Sequence, residues 1–199
     1  MSGRPHGRSI VVATRNQHKL DELGEILGSV GLEPLPESVT LPPEDGETFA
    51  ENALAKARAA HEQTGRAILA DDSGIAAAAL DGRPGVRSAR YAGEGATDAE
   101  NLALLLDEVG DSGDRSVAYV CVIAYVDEAG TETLREGRCT GRLADRPRGD
   151  GGFGYDPAFV PDDLRDGRTM AELSPAEKHS ISHRGRAARA IAAAIGESR

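Results

Sequence analysis

S-I-V-V-A-T-R-N-Q-H-K, residues 9–19, is the stretch that decides the fold class. Ser9 to Ala13 is a short apolar, β-branched run of the kind that forms a buried strand. Thr14 to Gln17 then turns at once into a helical segment, with Leu20, Leu23, Ile26 and Leu27 at helical spacing. A strand feeding straight into a helix predicts an α/β chain, and such a helix start offers backbone N–H groups to an anion.

The same alternation continues downstream. Val30 to Glu47 reads as a short strand followed by a Pro- and acid-rich loop. Thr48 and Glu51 form a capping box for an Ala-rich helix that runs to Thr64 and stops at Gly65. Ala67 to Ala70 is the next strand and ends in Asp71-Asp72-Ser73-Gly74; Ile75 to Leu80 reads as a further strand, although its Ala run also suits a helix. Asp81 to Gly85 is a turn, and Thr97 with Glu100 caps a helix carrying Leu102, Leu105, Leu106 and Val109 on one face. Arg115 to Val126 and Thr131 to Leu143 are two long strands around Glu128-Ala129-Gly130, a hairpin that serves either as a second lobe or as a dimer contact. A Gly-rich loop, Gly149 to Gly154, leads to a short strand at Ala158 to Val160. Thr169 with Glu172, and Ser174 with Pro175 and Glu177, are helix starts, and an Ala-rich helix follows Ser182. The expected architecture is α/β with a mixed sheet, residues 9–199 forming one domain behind a flexible leader at residues 1–8.

Composition bounds the function. The 199 residues are enough for one substantial core, and with 39% hydrophobic and 4% aromatic residues and no Trp that core is built from Ala, Val, Leu and Ile. Basic residues number 23 against 33 acidic, a net charge of -10, which argues against nucleic-acid polymers as partners. A small polyphosphate needs only a local basic pocket and a metal ion, so it stays in play. Cys121 and Cys139 form no metal-ligand pair and read as reduced thiols on strands. No stretch approaches the roughly 20 apolar residues that span a bilayer, and no signal peptide is evident. The expectation is a cytoplasmic protein with no membrane contact.

Asp71-Asp72-Ser73-Gly74 is the strongest chemical signal. Two adjacent carboxylates hold a hard cation such as Mg2+ through oxygen, and one of them can orient or deprotonate water. A polar turn after a strand explains the same four residues equally well. Glu44-Asp45-Gly46-Glu47 by itself is a solvated loop; combined with the Asp pair it completes a magnesium site. Lys19, Lys56, Lys178, His183 and Arg184 are each ordinary exposed charges when taken singly, and a triphosphate site when aimed together. In G-D-G-G-F-G-Y-D, residues 149–156, Phe153 and Tyr155 either stack on a base or tuck into the core, and composition favours the core. There is no G-x-x-x-x-G-K-[ST], H-E-x-x-H or G-x-S-x-G.

Six blocks taken in order resemble the inosine triphosphate pyrophosphatase family, the dITP/XTP pyrophosphatases. They are V-V-A-T-R-N-Q-H-K (11–19), T-F-A-E-N-A-L-A-K-A (48–57), A-D-D-S-G (70–74), P-G-V-R-S-A-R-Y-A-G (84–93), G-G-F-G-Y-D-P (151–157) and S-I-S-H-R-G-R-A (180–187). The resemblance implies an elongated two-lobed fold around a central mixed sheet flanked by helices, an active cleft between the lobes, and a homodimer. It implies Mg2+-dependent hydrolysis of deaminated purine nucleoside triphosphates (ITP, dITP, XTP) to the monophosphate and pyrophosphate. Carried over by position, the segment Thr14, Arg15, Asn16, Gln17, His18 and Lys19 binds substrate, with Thr14, Asn16 and Lys19 on the triphosphate. Glu44 is a metal ligand, chosen over Asp45 and Glu47; Asp72 is a metal ligand and the base that activates water, with Asp71 assisting. Lys56 contacts phosphate and Ser73 contacts substrate. Phe153, Gly154, Tyr155 and Asp156 stack on and read the base, and Lys178, His183 and Arg184 complete the pocket. One departure stands out: the family usually has Gly where this chain has Arg15, either because the turn here does not need a positive φ or because its geometry differs, and an extra cation beside the phosphates is a further role for it. The alternatives are a related Maf-type nucleotide pyrophosphatase, against which the F-G-Y-D and S-H-R segments speak, and a non-catalytic nucleotide sensor, against which the Asp pair speaks.

Overall fold

Local sequence accounts for most of the elements. In the computed structural model, which describes residues 9–28 and 30–197, the apolar run after Ser9 becomes strand β1 (Ile10–Val12), buried at every position. The leader expected at residues 1–8 lies outside the described residues. Asn16 caps helix α1 (Gln17–Leu27), its side chain accepting the Lys19 N–H, and α1 turns Leu23 and Leu27 inward. Strand β2 (Leu32–Pro34) is short. Helix α2 (Phe49–Thr64) opens on the reciprocal Thr48–Glu51 capping box and ends at Gly65 in the left-handed conformation, φ 63°. Helix α3 (Asp98–Val109) opens on the Thr97–Glu100 box, and helix α4 (Pro175–Ile181) on the Ser174–Glu177 box with Pro175 in its first turn. Helix α5 is His183–Glu197.

The strands β3 (Ile68–Ala77), β4 (Ser116–Val126), β5 (Glu132–Leu143) and β6 (Phe159–Pro161) complete one six-stranded sheet in the order β2-β1-β3-β4-β5-β6. β1 pairs parallel with β2 through Ile10 and Leu32, and parallel with β3 through Val11 and Ile68. β5 pairs antiparallel with β6, Gly141 opposite Pro161. The sheet is therefore mixed and flanked by helices, as the alternation of strand and helix predicts. Among the described residues no helix is long and apolar enough to cross a membrane.

One part of the sequence reading is corrected. Asp71-Asp72-Ser73-Gly74 is not a turn between two strands: β3 runs unbroken through it for 10 residues, and the end of the second expected strand, Ala78–Leu80, is a single 3-10 turn. Local propensity favours a break there, but none of the four residues takes a positive φ. The carboxylates stay in the strand because partners distant in sequence neutralise them, as described below. Asp71 is 1% and Asp72 4% exposed.

The chain divides into two compact units, and the division falls within β3, β4, β5 and α5. The first comprises the described parts of Met1–Asp72 and Ala188–Arg199 with Val122–Arg135; its core packs Val11, Ala13, Leu35, Val39, Ala53, Ala57, Ala60, Ile68 and Val122. The second comprises Ser73–Cys121 and Glu136–Ala187, with a core that includes Ile75, Leu102, Leu105, Tyr119, Leu143, Tyr155, Phe159 and Met170. Both cores are mainly aliphatic, in keeping with the composition.

The Thr48 cap lends itself to a direct test. Thr48→Ala removes the acceptor for the Glu51 N–H and should cost about 1 kcal/mol, read as a lower urea midpoint with an unchanged slope; a shift too small to resolve would mean that α2 is held by packing alone.

Candidate active site

In the first unit the chemistry gathers around one face of α2. Asn52 and Lys56 lie four residues apart, hence one above the other on the helix, and both are buried, at 3% and 6% exposure. The Lys56 ammonium donates to the Glu44 carboxylate and, at 2.6 Å, to the backbone carbonyl of Asp71. Asn52 Nδ2 donates to Asp72 Oδ2 at 2.9 Å, and Asn52 Oδ1 accepts the Gly46 N–H at 2.8 Å. From α1, Lys19 Nζ forms an ion pair with Asp71 Oδ2 at 3.1 Å. Burial opposes the charge on Lys56, but Asp71, Glu44 and Asp72 outweigh it and hold the ammonium above its ordinary pKa. Burial pushes the Asp72 carboxyl up; Lys56, Asn52 and Lys19 pull it down and Glu44 pushes it up, leaving it above the usual carboxylate range.

Among the described residues no group of three His, Cys, Asp or Glu is arranged as a metal cage. A hard divalent cation needs no such cage: Mg2+ takes one or two protein carboxylates and fills its remaining positions with water and phosphate oxygens. Glu44 and Asp72 match that requirement in donor type. Each is an oxygen donor, and the charge of Glu44 is felt at Asp72 as repulsion that a cation would relieve.

In the second unit Asp156 is the organising group. At 3% exposure its carboxylate accepts from Tyr119 Oη at 3.1 Å, the Phe153 N–H at 2.9 Å and Lys178 Nζ at 2.7 Å. Lys178 Nζ also stands 4.9 Å from the centroid of the half-buried Phe153 ring, and the Arg184 guanidinium 5.7 Å from it. Arg184, 2% exposed, donates to Ser73 Oγ at 2.9 Å. His183 stacks on Tyr119 with ring centroids 4.5 Å apart, and Tyr119 stacks in turn on Phe159 at 4.4 Å.

The sequence-predicted residues thus fall into two groups. Lys19, Glu44, Lys56, Asp71 and Asp72 come together in the first unit, and Ser73, Phe153, Asp156, Lys178, His183 and Arg184 in the second. Thr14 and Asn16 shape the start of α1, the Thr14 hydroxyl accepting the Asn16 N–H at 3.1 Å. Gly154 donates its N–H to Asp98 at 2.7 Å. Gln17 donates to Asp21 on its own helix, and His18 is exposed on α1.

Two expectations are corrected. Tyr155 is 5% exposed and its hydroxyl donates to the Ser88 carbonyl at 2.7 Å, so it is a core ring, whereas Phe153 is half-buried. The Arg15 guanidinium is committed to backbone carbonyls. It donates to those of Leu35, Pro36 and Val39 at 2.8–3.0 Å, with Glu37 at 3.4 Å. Arg15 does not take a positive φ, so the turn has no need of the usual glycine. Sequence reasoning missed Asn52 and Tyr119. Asn52 carried one signal, a helix-interior Asn four residues before Lys56 on an otherwise Ala-rich face; Tyr119 carried none beyond its place in a long strand.

The sequence model of the Ham1 family matches residues 10–194. The chain belongs to the Ham1 family. It is 50% identical to a dITP/XTP pyrophosphatase of Mycolicibacterium paratuberculosis over 94% of this chain and 95% of that one. Among solved structures, a HAM1 protein from Coxiella burnetii is 44% identical and superimposes with a TM-score of 0.85 over 96% of this chain and 99% of that one. A nucleoside-triphosphatase / dITP/XTP pyrophosphatase from Mycobacterium abscessus is 46% identical, with a TM-score of 0.73 over 92% and 98%. The family inferred from the six sequence blocks is the family found.

The reassignment of Arg15 separates binding from bracing. Arg15→Ala should lower stability by about 1 kcal/mol, or roughly 2–4 °C in Tm for a chain of this size, and leave KM for a nucleoside triphosphate within about twofold. A KM raised tenfold at unchanged Tm would restore the phosphate role.

Proposed function

We propose that this Ham1-family chain hydrolyses deaminated purine nucleoside triphosphates, ITP, dITP and XTP, to the nucleoside monophosphate and pyrophosphate, with Mg2+ as cofactor. The observation that carries the reading is the buried Asp72 carboxylate, fixed by Asn52 and set among Lys56, Lys19 and Glu44, in a chain half identical to a dITP/XTP pyrophosphatase. Asp72 accepts a proton from the water that attacks the α-phosphorus, the bond from that phosphorus to the bridging oxygen breaks, and pyrophosphate leaves with the electron pair. Lys19 and Lys56 offset charge developing on the leaving group, and the N-terminus of α1 with Thr14 and Asn16 receives phosphate oxygens. Glu44 and Asp72 would hold Mg2+, which when bound supplies positive charge against the polyphosphate.

The base is handled by the second group. Phe153 offers a ring face, Lys178 a donor suited to a 6-oxo group, and Asp156 holds Lys178 in place. A site built to hydrogen-bond the oxo edge leaves buried groups unpaired with adenine, which discriminates by about ten-thousand-fold. Arg184 and His183 complete the pocket, and Arg184 also reaches Ser73. On the same reading residues 9–199 act as one catalytic domain, as a homodimer in the cytoplasm; light scattering at twice the chain mass is the check on the dimer.

Incubation of the purified protein with Mg2+ and ITP, XTP, dATP or dGTP should give monophosphate and pyrophosphate from ITP and XTP alone. Orthophosphate as product, or equal turnover of all four, would refute the reaction or its specificity, and tight binding without turnover would make the chain a sensor. Asp72→Asn should lower kcat by about 10²–10⁴-fold with the fold intact. Lys178→Ala and Arg184→Ala should act chiefly on KM; an effect confined to kcat would remove them from binding.

A further inference from the structure

Asn52 is a polar side chain on a buried helix face that otherwise carries Lys56 and the alanines Ala53, Ala57 and Ala60, with only 3% of its surface exposed. Burying an amide there is costly unless every end of it is satisfied, and both ends are. Nδ2 donates to Asp72 Oδ2 at 2.9 Å, and Oδ1 accepts the Gly46 N–H at 2.8 Å. The two partners also fix which way round the amide sits, because the Gly46 N–H can only donate and must face oxygen. The NH2 end is thereby aimed at Asp72 and presents a donor to the carboxylate.

The second partner gives the contact its consequence. Gly46 lies two residues after Glu44 in the loop before α2, so one amide ties the Asp72 carboxylate to the backbone of the segment that carries Glu44. The fit is close: a Cβ at Gly46 would stand 2.6 Å from Asn52 Oδ1 and 3.0 Å from the Glu51 side chain. One helical turn on, Lys56 grips Glu44 itself and the Asp71 carbonyl. α2 therefore sets both acidic segments from a single face, Lys56 by charge and Asn52 by direction.

We propose that Asn52 is a positioning residue that sets the orientation of the Asp72 carboxylate and its separation from Glu44, and that Gly46 is glycine because the amide needs that approach. The proposal rests on the assignment of Glu44 and Asp72 as the metal-binding and water-activating carboxylates. Outer partners that orient metal-binding carboxylates are worth about 10–100-fold in metal affinity or activity when removed.

The test compares wild type with Asn52→Ala, Asn52→Asp, Gly46→Ala and the Gly46→Ala/Asn52→Ala double variant. Three quantities are read: kcat and KM on ITP with Mg2+, Mn2+ affinity by electron paramagnetic resonance in the presence of α,β-methylene ITP, and Tm. Asn52→Asp keeps the acceptor for Gly46 but turns the contact with Asp72 into one between like charges. The expected result is a 10–100-fold fall in kcat and at least tenfold weaker Mn2+ binding for both Asn52 variants, with KM within about threefold. Gly46→Ala should impair the wild type in the same way and add less than twofold once Asn52 is alanine, since the severe 2.6 Å clash is gone and only the milder 3.0 Å approach to Glu51 remains.

Folded Asn52 variants whose kcat and Mn2+ affinity stay within twofold of wild type would overturn the proposal. So would a Gly46→Ala loss that multiplies in full in the double variant, or kcat losses that vanish when assayed well below each variant's Tm. If Asn52→Ala does not fold, the nearly isosteric Asn52→Asp carries the comparison. Failure of the functional reading is visible separately: wild type that does not cleave ITP refutes it, while the Mn2+ affinities still decide the role of Asn52.

Discussion

The ammonium of Lys56, buried beside the Glu44 carboxylate and the Asp71 carbonyl, allows a β-strand to carry two adjacent acids through the interior. Alternation along a strand sends Asp71 and Asp72 to opposite faces of the sheet, so their side chains take different direct partners. Lys19 meets Asp71, and Asn52 meets Asp72. Lys56, on the carbonyl between them and within the field of both, keeps the local charge near balance. Removing one partner of such a set leaves an uncompensated buried charge, worth about 3–5 kcal/mol. The continuity of β3, the placing of α2 against it and the position of the Glu44 loop therefore depend on the same few contacts.

The second unit solves the opposite problem with the same device. Here the buried charges are chiefly cations, Lys178 and Arg184, and the compensating group is the carboxylate of Asp156 together with the face of Phe153. Tyr119 holds Asp156 from behind and stacks on His183, so the ring that orients the acid also fixes the imidazole. Groups with committed partners lose little further freedom when a ligand meets them, which is the general condition for a hydrogen-bond mismatch to count at full strength.

What was legible in the sequence follows from the range of the interactions. The capping boxes at Thr48, Thr97 and Ser174 and the stop at Gly65 involve residues within one turn, and each is where the sequence puts it. The continuous β3 was not legible. Asp-Asp-Ser-Gly favours a turn locally, and the contacts that overrule this preference come from residues 15 to 20 positions earlier, Lys56 and Asn52. Tyr119 is 37 positions from Asp156, so its meaning is likewise fixed only by the fold. The family blocks single out acidic and basic residues that the fold brings into two clusters, because motif order carries what local propensity cannot. They did not separate Phe153 from Tyr155, since alternate residues of one loop can face a ligand or the core with the same composition.

Arg15 shows how a departure from the family pattern can be absorbed. The segment between β2 and α2 is irregular, and its backbone carbonyls lack ladder partners; carbonyls in that state must find donors or water. A guanidinium offers five N–H groups in a planar fork, and Arg15 spends them on Leu35, Pro36 and Val39, with Glu37 more distant. Glycine at this position could offer no side-chain donor, so in relatives that have it these carbonyls must be satisfied by other means. The exchange is possible because the turn after β1 runs at negative φ, leaving the backbone indifferent to a Cβ. The side chain can then brace the segment that leads to Glu44.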